Sequence, residues 1–223
     1  MKDKTLRVLT WCAALASPAL VAAVYAALPA RVPTHWGLDG TVTYSGKGTM
    51  WLLALMPLLL TALLRVLPKI DPRRKNYARF QDYYDGFVLV MAVFLLLVNA
   101  VTVVEALRPG TLAVWRVIVM AVGLLFLILG NLMPKVKSNF FMGIKTPWTL
   151  SDPDVWNRSQ RLGGRLFFLA GLAMLVCGLL LGEYAAFIVT MAGALGAGLV
   201  PCVMSYIWYR QKMTGPVDKG GDE

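Results

Sequence analysis

Gly86-Phe-Val-Leu-Val-Met-Ala-Val-Phe-Leu-Leu-Leu-Val-Asn-Ala-Val-Thr-Val-Val-Glu-Ala-Leu107 decides the fold. Glu105 is its one charged side chain. The run exceeds the roughly 20 apolar residues that a helix needs to cross a hydrocarbon core about 30 Å thick. Five further runs resemble it: Leu6–Leu28, Thr49–Leu67, Leu112–Met133, Gly164–Leu181 and Tyr184–Tyr209. Gly164–Leu181 is the shortest and reaches full span only when Gly163 and Gly164 join the helix. None alternates with period 2, which excludes an outer-membrane barrel. Only 15% of the 223 residues are charged and 58% are hydrophobic, whereas soluble domains carry about a quarter charged residues. The expected fold is all-α: a polytopic integral membrane protein with a bundle of six transmembrane helices and a short cytoplasmic interfacial helix.

The first run follows a basic prelude (Lys2, Lys4, Arg7) like that of a signal peptide, but it outruns the roughly 7–15 residues of a signal core. It is therefore read as a retained anchor. With the amino terminus inside, 18 of the 22 Lys and Arg residues fall on the inner side or at inner helix ends. Arg31, Lys47, Arg108 and Arg116 fall outside. The positive-inside rule favours this orientation. It makes the expected location the cell membrane, multi-pass, with both termini cytoplasmic. The net charge of +10 then reflects topology and attraction to anionic lipid, and calls for no nucleic-acid partner. Cys12, Cys177 and Cys202 lie within spans, too scattered for disulfides or a metal site, and are read as packing residues.

The first outer loop, Leu28–Lys47, holds Pro29, Pro33, Gly37, Gly40 and Gly46 and reads as a folded turn segment. It contains the only histidine, His35, beside Trp36 and four residues before Asp39. Three readings stand: structural hydrogen bonding, contact with a peptide, or a metal. One histidine with one carboxylate is a short ligand set, so neither metal nor cofactor is expected. Trp36 and Tyr44 also suit an interfacial aromatic belt. The inner loop Pro68–Asp85 mixes basic and aromatic residues. It reads as a short helix at the head groups with snorkelling Lys and Arg, or as part of a docking surface. Within the third run, Asn99 is expected to bond a neighbouring helix and Glu105 to reach water at the outer end. Pro57 and Pro201 are expected to kink the second and sixth helices, and Gly193, Gly196 and Gly198 to allow close packing.

Between the fourth and fifth runs lies Asn131-Leu-Met-Pro-Lys-Val-Lys-Ser-Asn-Phe-Phe-Met-Gly-Ile-Lys-Thr-Pro-Trp-Thr-Leu150. A plain connector needs no such density of Pro, Gly, Lys and Trp, so this segment is read as a structured cytoplasmic face. After it, Ser151 is read as the N-cap of a short helix from about Asp152 to Leu162, with Pro153 and Asp154 in the first turn. Gly163-Gly164 marks its junction with the fifth span. The chain thus divides into 1–48 (first helix and outer loop), 49–133 (helices two to four with the basic loop 68–85), 134–165 (cytoplasmic segment and interfacial helix), 166–209 (helices five and six) and 210–223 (a disordered tail).

Residues 131–165, through Asn131-Leu-Met-Pro-Lys135, Asn139-Phe-Phe-Met-Gly-Ile-Lys-Thr-Pro-Trp-Thr-Leu150, Val155-Trp156 and Arg161-Leu-Gly-Gly164, resemble the signature of the SdpI family of bacterial membrane proteins. Leu28–Trp36, Gly40 and Ser45–Lys47 resemble the small uncharacterised domain that often precedes it. The resemblance implies a six-span protein that gives resistance to a secreted antimicrobial or toxic peptide and relays its presence by sequestering a cytosolic transcriptional repressor. It carries no active site. By similarity, Asn131, Pro134, Lys135, Asn139, Phe140, Gly143, Thr146, Pro147 and Trp148 are the signature positions, and Lys145, Trp156 and Arg161 join them as candidate partner-binding residues. His35, Trp36, Asp39 and Tyr44 are the candidates for peptide binding outside. Two other classes compete: an exporter of a small hydrophobic compound, and an accessory subunit of a membrane complex. An exporter would show inverted repeats or broken helices, which are weak or absent. An enzyme is not expected, because the sequence has no H-E-x-x-H, no nucleophile elbow and no second histidine.

Overall fold

Six helices are long and apolar enough to cross a membrane, and this is a multi-pass membrane protein. The computed structural model describes residues 2–214. Helices α1 (Lys2–Val24), α2 (Met50–Ile70), α3 (Gln81–Leu107), α4 (Val114–Leu132), α6 (Pro153–Leu180) and α7 (Glu183–Thr214) are the spans, and a one-turn helix α5 (Pro147–Ser151) precedes α6. Alternating crossings put the start of α1, the α2–α3 connector, the segment 133–152 and the end of α7 on one side, here the signature face. The other side is the hairpin face.

The outer loop is more regular than its turn residues suggest. Arg31–Trp36 (β1) pairs antiparallel with Val42–Gly46 (β2), with an irregularity between Pro33 and His35. Gly40 takes φ +79° in the connecting turn, a value that favours glycine. Val32 and Leu28 close a cluster with Val21, Met50, Ala54, Val103 and Ala106, so the hairpin lids the first three helices.

The helices form two groups of three. One comprises α1, α2 and α3; the other comprises α4, α6 and α7; α3 and α4 touch only sparsely. In the first group Asn99 donates to the Ser17 carbonyl at 3.1 Å and its hydroxyl at 2.8 Å, the interhelical bond expected from the sequence. In the second, a glycine seam brings backbones together. A Cβ on Gly130 would lie 2.5 Å from the Phe168 nitrogen, and one on Gly171 would lie 2.5 Å from the Gly123 carbonyl. Gly123 and Gly130, and likewise Gly164, Gly171 and Gly178, recur every seven residues, the spacing that keeps one seam facing a partner helix. In lipid, where apolar side chains gain nothing by leaving hydrocarbon, such close approach drives association.

Three readings of the sequence need correction. The helix expected at Asp152–Leu162 is not separate: α6 runs unbroken from Pro153 to Leu180. Gly163 and Gly164 do not end it, because their missing side chains make room for Met133, Ile144 and Pro134. Its N-cap is Asp152, which accepts from the amides of Asp154 and Val155 at 2.8 and 3.1 Å, while Ser151 ends α5. Glu105 does not reach water. It is buried and accepts from the amides of Gly110 and Leu112 at 2.9 and 2.7 Å, capping the α3–α4 turn. Finally, α7 extends to Thr214, past the expected boundary at Tyr209; the rest of the expected tail, 215–223, lies outside the described residues.

The seam predicts its own sensitivity. Gly130→Leu should lower the stability of the detergent-solubilised protein by at least the roughly 1–3 kcal/mol of overpacking, whereas Gly196→Leu, which meets open space, should be tolerated. Thermal melts of both variants measure this; equal melts would mean that the seam does not hold the second group together.

Candidate functional site

The signature segment is built around Asn139. Its side chain is fully buried, donates to the carbonyls of Lys137 (2.9 Å) and Met142 (3.1 Å), and accepts from the amides of Phe141 (2.8 Å) and Met142 (2.7 Å). An amide has both donors and an acceptor, so one residue satisfies a tight turn in which the backbone cannot pair with itself. Gly143 follows with φ +102°, and a Cβ there would stand 2.5 Å from Gln160 Oε1. Gln160, on α6, pairs with both backbone groups of Ile144: its Nε2 donates to the carbonyl at 3.0 Å and its Oε1 accepts from the amide at 3.1 Å. Thr146 then caps α5, its hydroxyl accepting from Thr149 N at 3.1 Å while the Thr149 hydroxyl accepts from Thr146 N at 2.9 Å.

This turn is tied to both helix groups. On the first, Asp71 follows α2 and is buried. It accepts from Arg73 N (2.6 Å), the Tyr77 hydroxyl (2.9 Å) and Phe140 N (2.9 Å). Burial and the Asp71 carboxylate drive the Tyr77 pKa upward, so that hydroxyl stays a donor. Arg73 donates to Ser138 and to the Leu150 carbonyl, and Asn76 donates to the Ser138 carbonyl at 2.7 Å. On the second group, Trp156 Nε1 donates to Val136 O at 3.0 Å. Thr146 and Ser205 share a hydrogen bond of 2.9 Å, and Trp148 packs on Tyr206 with centroids 5.0 Å apart. Tyr77, Phe80, Tyr84 and Val88 meet Val136, Met142 and Trp156 in one apolar cluster. The α2–α3 connector therefore does more than present basic residues, since it also packs against the signature segment. Its short 3-10 helix, Arg74–Arg79, turns Tyr77 inward to serve the signature segment.

The expected signature residues divide into two sets. Asn139, Gly143, Thr146 and Trp156 build the segment, and Pro134 packs on Gly164. Phe140 is exposed beneath the Arg73 guanidinium at 5.2 Å, and Lys135 lies over the Tyr83 ring at 4.7 Å. Lys145 is exposed and donates to Phe141 O, while Asn131, Pro147 and Arg161 are also exposed. These side chains are the surface on offer. Asp71, Tyr77, Thr149 and Gln160 escaped the sequence reading. Gln160 had a signal, because Trp156, Ser159, Gln160 and Gly163 fall at the i, i+3, i+4, i+7 spacing of one buried face. Asp71 had one too, since Asp-Pro favours a turn in which the carboxylate caps a nearby amide.

Deeper in the first group, Asp85 is fully buried and bonds Arg65, with Arg7 at 3.5 Å. At the end of α7, Lys212 binds Asp152 at 2.6 Å and Asp154 at 3.0 Å. Burial raises the Asp152 carboxyl, but Lys212 and the α6 amides outweigh it and hold it below the usual range.

The hairpin face presents a second feature. A hollow of about 840 Å³ opens between the hairpin, α4 and α7, floored by side chains such as Ile118, Val122, Phe126, Phe187 and Met191. His35 and Trp36 stand at its edge with Glu183. Asp39 does not. Its carboxylate accepts from the Thr41 hydroxyl at 2.6 Å and amide at 3.1 Å, bonds that hold its pKa below the usual range, with a smaller contribution from His35. Tyr44 lies on β2, exposed, where its carbonyl accepts from Arg31 at 3.0 Å.

Comparison with known proteins identifies the signature segment. Residues 135–205 match the SdpI/YfhL protein family. The chain carries the SdpI signature. Residues 12–61 match a domain of unknown function, DUF1648, which covers the hairpin and its flanking helices. The chain is 23% identical over 188 residues to the immunity protein SdpI of Bacillus subtilis (strain 168), covering 84% of this chain and 88% of that protein. No solved structure matches.

Removing Asn139 tests its part in the SdpI signature. Asn139→Ala leaves two amides and two carbonyls unsatisfied, each costing about 1–3 kcal/mol where water is excluded. Amide exchange should accelerate across 137–146 while the helices stay protected; unchanged exchange in that segment would show that the turn is held by other contacts.

Proposed function

We propose that the chain is a membrane immunity protein that gives resistance to a secreted antimicrobial peptide, without catalysis. The similarity to immunity protein SdpI over 84% of the chain carries this reading. The hairpin face lies outside and the signature face and both termini lie in the cytoplasm, as the distribution of basic residues favours. The apolar hollow beside His35 and Trp36 receives the peptide's hydrophobic side. The surface formed by half-buried Lys135 and exposed Phe140, Lys145 and Arg161 holds a cytosolic repressor.

Helix α7 suits such a relay because it reaches both places. Phe187 and Met191 line the hollow, and Ser205 and Tyr206 bond and pack against the signature segment. A peptide changes repressor affinity only if it binds two arrangements of the bundle unequally. Pro201, between the two contact sites, removes one backbone hydrogen bond and softens the helix there.

Expression in a sensitive host, challenged with peptides secreted by the source organism and its neighbours, tests the reading. Wild type should protect. Ala194→Trp, which fills the hollow, and the pair Lys145→Ala and Trp148→Ala should lose protection while remaining in the membrane. A correctly inserted Ala194→Trp protein that still protects would remove the hollow from the mechanism, and a wild type that protects against nothing would overturn the function.

Orientation is checked separately. In a background without the native cysteines, single cysteines at Lys47 and Lys137 should react with an impermeant reagent from outside and inside respectively. Labelling of both from one side would refute the assigned topology.

A further inference from the structure

We infer that the hollow at the end of α2 binds the phosphate of an anionic phospholipid. It measures about 650 Å³ and lies between the α2–α3 connector and the end of the signature segment, with Arg73, Arg74 and Lys75 on one wall and Ser138, Leu150 and Ser151 on the other. That size is within the roughly 300–1,000 Å³ of small-ligand sites.

Charge makes it an anion site. Arg73 is fixed by its bonds to Ser138 and Leu150, and Arg74 and Lys75 are exposed. Among the described residues none of the three cations has a carboxylate in salt-bridge range. The nearby acids are engaged elsewhere: Asp71 with Arg73 N, Tyr77 and Phe140 N, and Asp152 and Asp154 with Lys212. Asp71, whose partners are all neutral donors, offsets part of this charge, and the remaining excess of cations around one hollow favours an anion from outside.

Position makes the anion a lipid. Leu63, Val66 and Ile70 are exposed along α2, so its outer face is apolar until Lys69 in its last turn. The exposed cations begin at Lys69 and continue through Arg74 and Lys75, where hydrocarbon gives way to head groups. Phe140, exposed beneath Arg73, sets an aromatic ring at the same level, as interfacial aromatics do. A soluble acidic protein would require a wide complementary patch, about 800 Å² per partner, whereas this is a hollow sized for one head group beside an apolar wall. The bound phosphate would bridge Arg74 and Lys75 to the edge that Arg73 already ties to the signature segment.

Native mass spectrometry of the purified full chain, titrated with phosphatidylglycerol and with phosphatidylcholine, tests this. Wild type should retain phosphatidylglycerol preferentially. The pair Arg74→Gln and Lys75→Gln should weaken retention about 30-fold, from about 1 kcal/mol per basic residue, while Arg74→Lys with Lys75→Arg should keep it. Arg158→Gln with Arg161→Gln, exposed on the same face but outside the hollow, should change little. Equal losses in both Gln pairs would reduce the effect to diffuse attraction and overturn the site. Displacement of the lipid by millimolar inorganic phosphate would assign the site to free phosphate instead. Unchanged lipid retention in the Arg74→Gln, Lys75→Gln protein would overturn the proposal outright. All these outcomes are independent of whether the chain protects against a peptide.

Discussion

The buried carboxylate of Asp71 and the buried amide of Asn139 hold the signature face together. Each stands where a polar group without partners would be costly, and each is satisfied by the segment it organises. Asp71 takes donors from its own turn, from Tyr77 and from Phe140. Asn139 bonds four backbone groups of its own turn, and its oxygen also accepts from the Tyr77 hydroxyl at 3.3 Å. Networks of this kind are of most use when complete, since a half-satisfied one is worse than an apolar core. Because Asp71 belongs to the first helix group and Phe140 to the second, the link also joins the halves of the bundle.

That joint matters because the membrane interior does little joining. Within the second group, glycines let α4 and α6 meet backbone to backbone. Between the groups, α3 and α4 leave an apolar gap of about 260 Å³ walled by side chains such as Val93, Leu97, Leu124 and Ile128. Lipid chains can fill such a gap without loss, since hydrocarbon is as apolar as the walls. The halves are therefore fastened at their ends: by the Glu105-capped turn on the hairpin face, and by the Asp71–Phe140 bond with its aromatic cluster on the other.

The sequence displayed the spans clearly because crossing hydrocarbon imposes a length and a composition that nothing else in a short chain imitates. It displayed Asn99 for a related reason, a polar side chain at mid-helix needing a partner. It hid the continuity of α6, because Gly163-Gly164 reads locally as a break, and only the approach of Met133, Ile144 and Pro134 shows why side chains are absent there. The hairpin was obscured by Pro33 and by strands of only six and five residues, whose pairing depends on the helices beneath. Glu105 was misread because its partners are the amides of Gly110 and Leu112, and backbone donors have no signature in composition. In the signature segment the motif marked Asn139 and Gly143, but Asp71 and Tyr77 lie more than 60 residues earlier, and no local pattern links them.

Stability and communication place opposite demands on such a bundle, and the structure distributes them by helix. The α4–α6 seam is stiff, since backbone contact leaves no slack for sliding. Helix α7 packs along α6 with fewer close approaches: a Cβ on Gly193 would meet Ala170 at 3.1 Å, and Gly196 and Gly198 face open space. Its C-terminal part is pinned to polar partners, Ser205 to Thr146 and Lys212 to Asp152. A displacement of α7 beside the hairpin would therefore not be absorbed by loose packing at its far end. It would load two specific bonds on the signature segment, and small shifts at packed contacts resolve into discrete rearrangements rather than gradual bending.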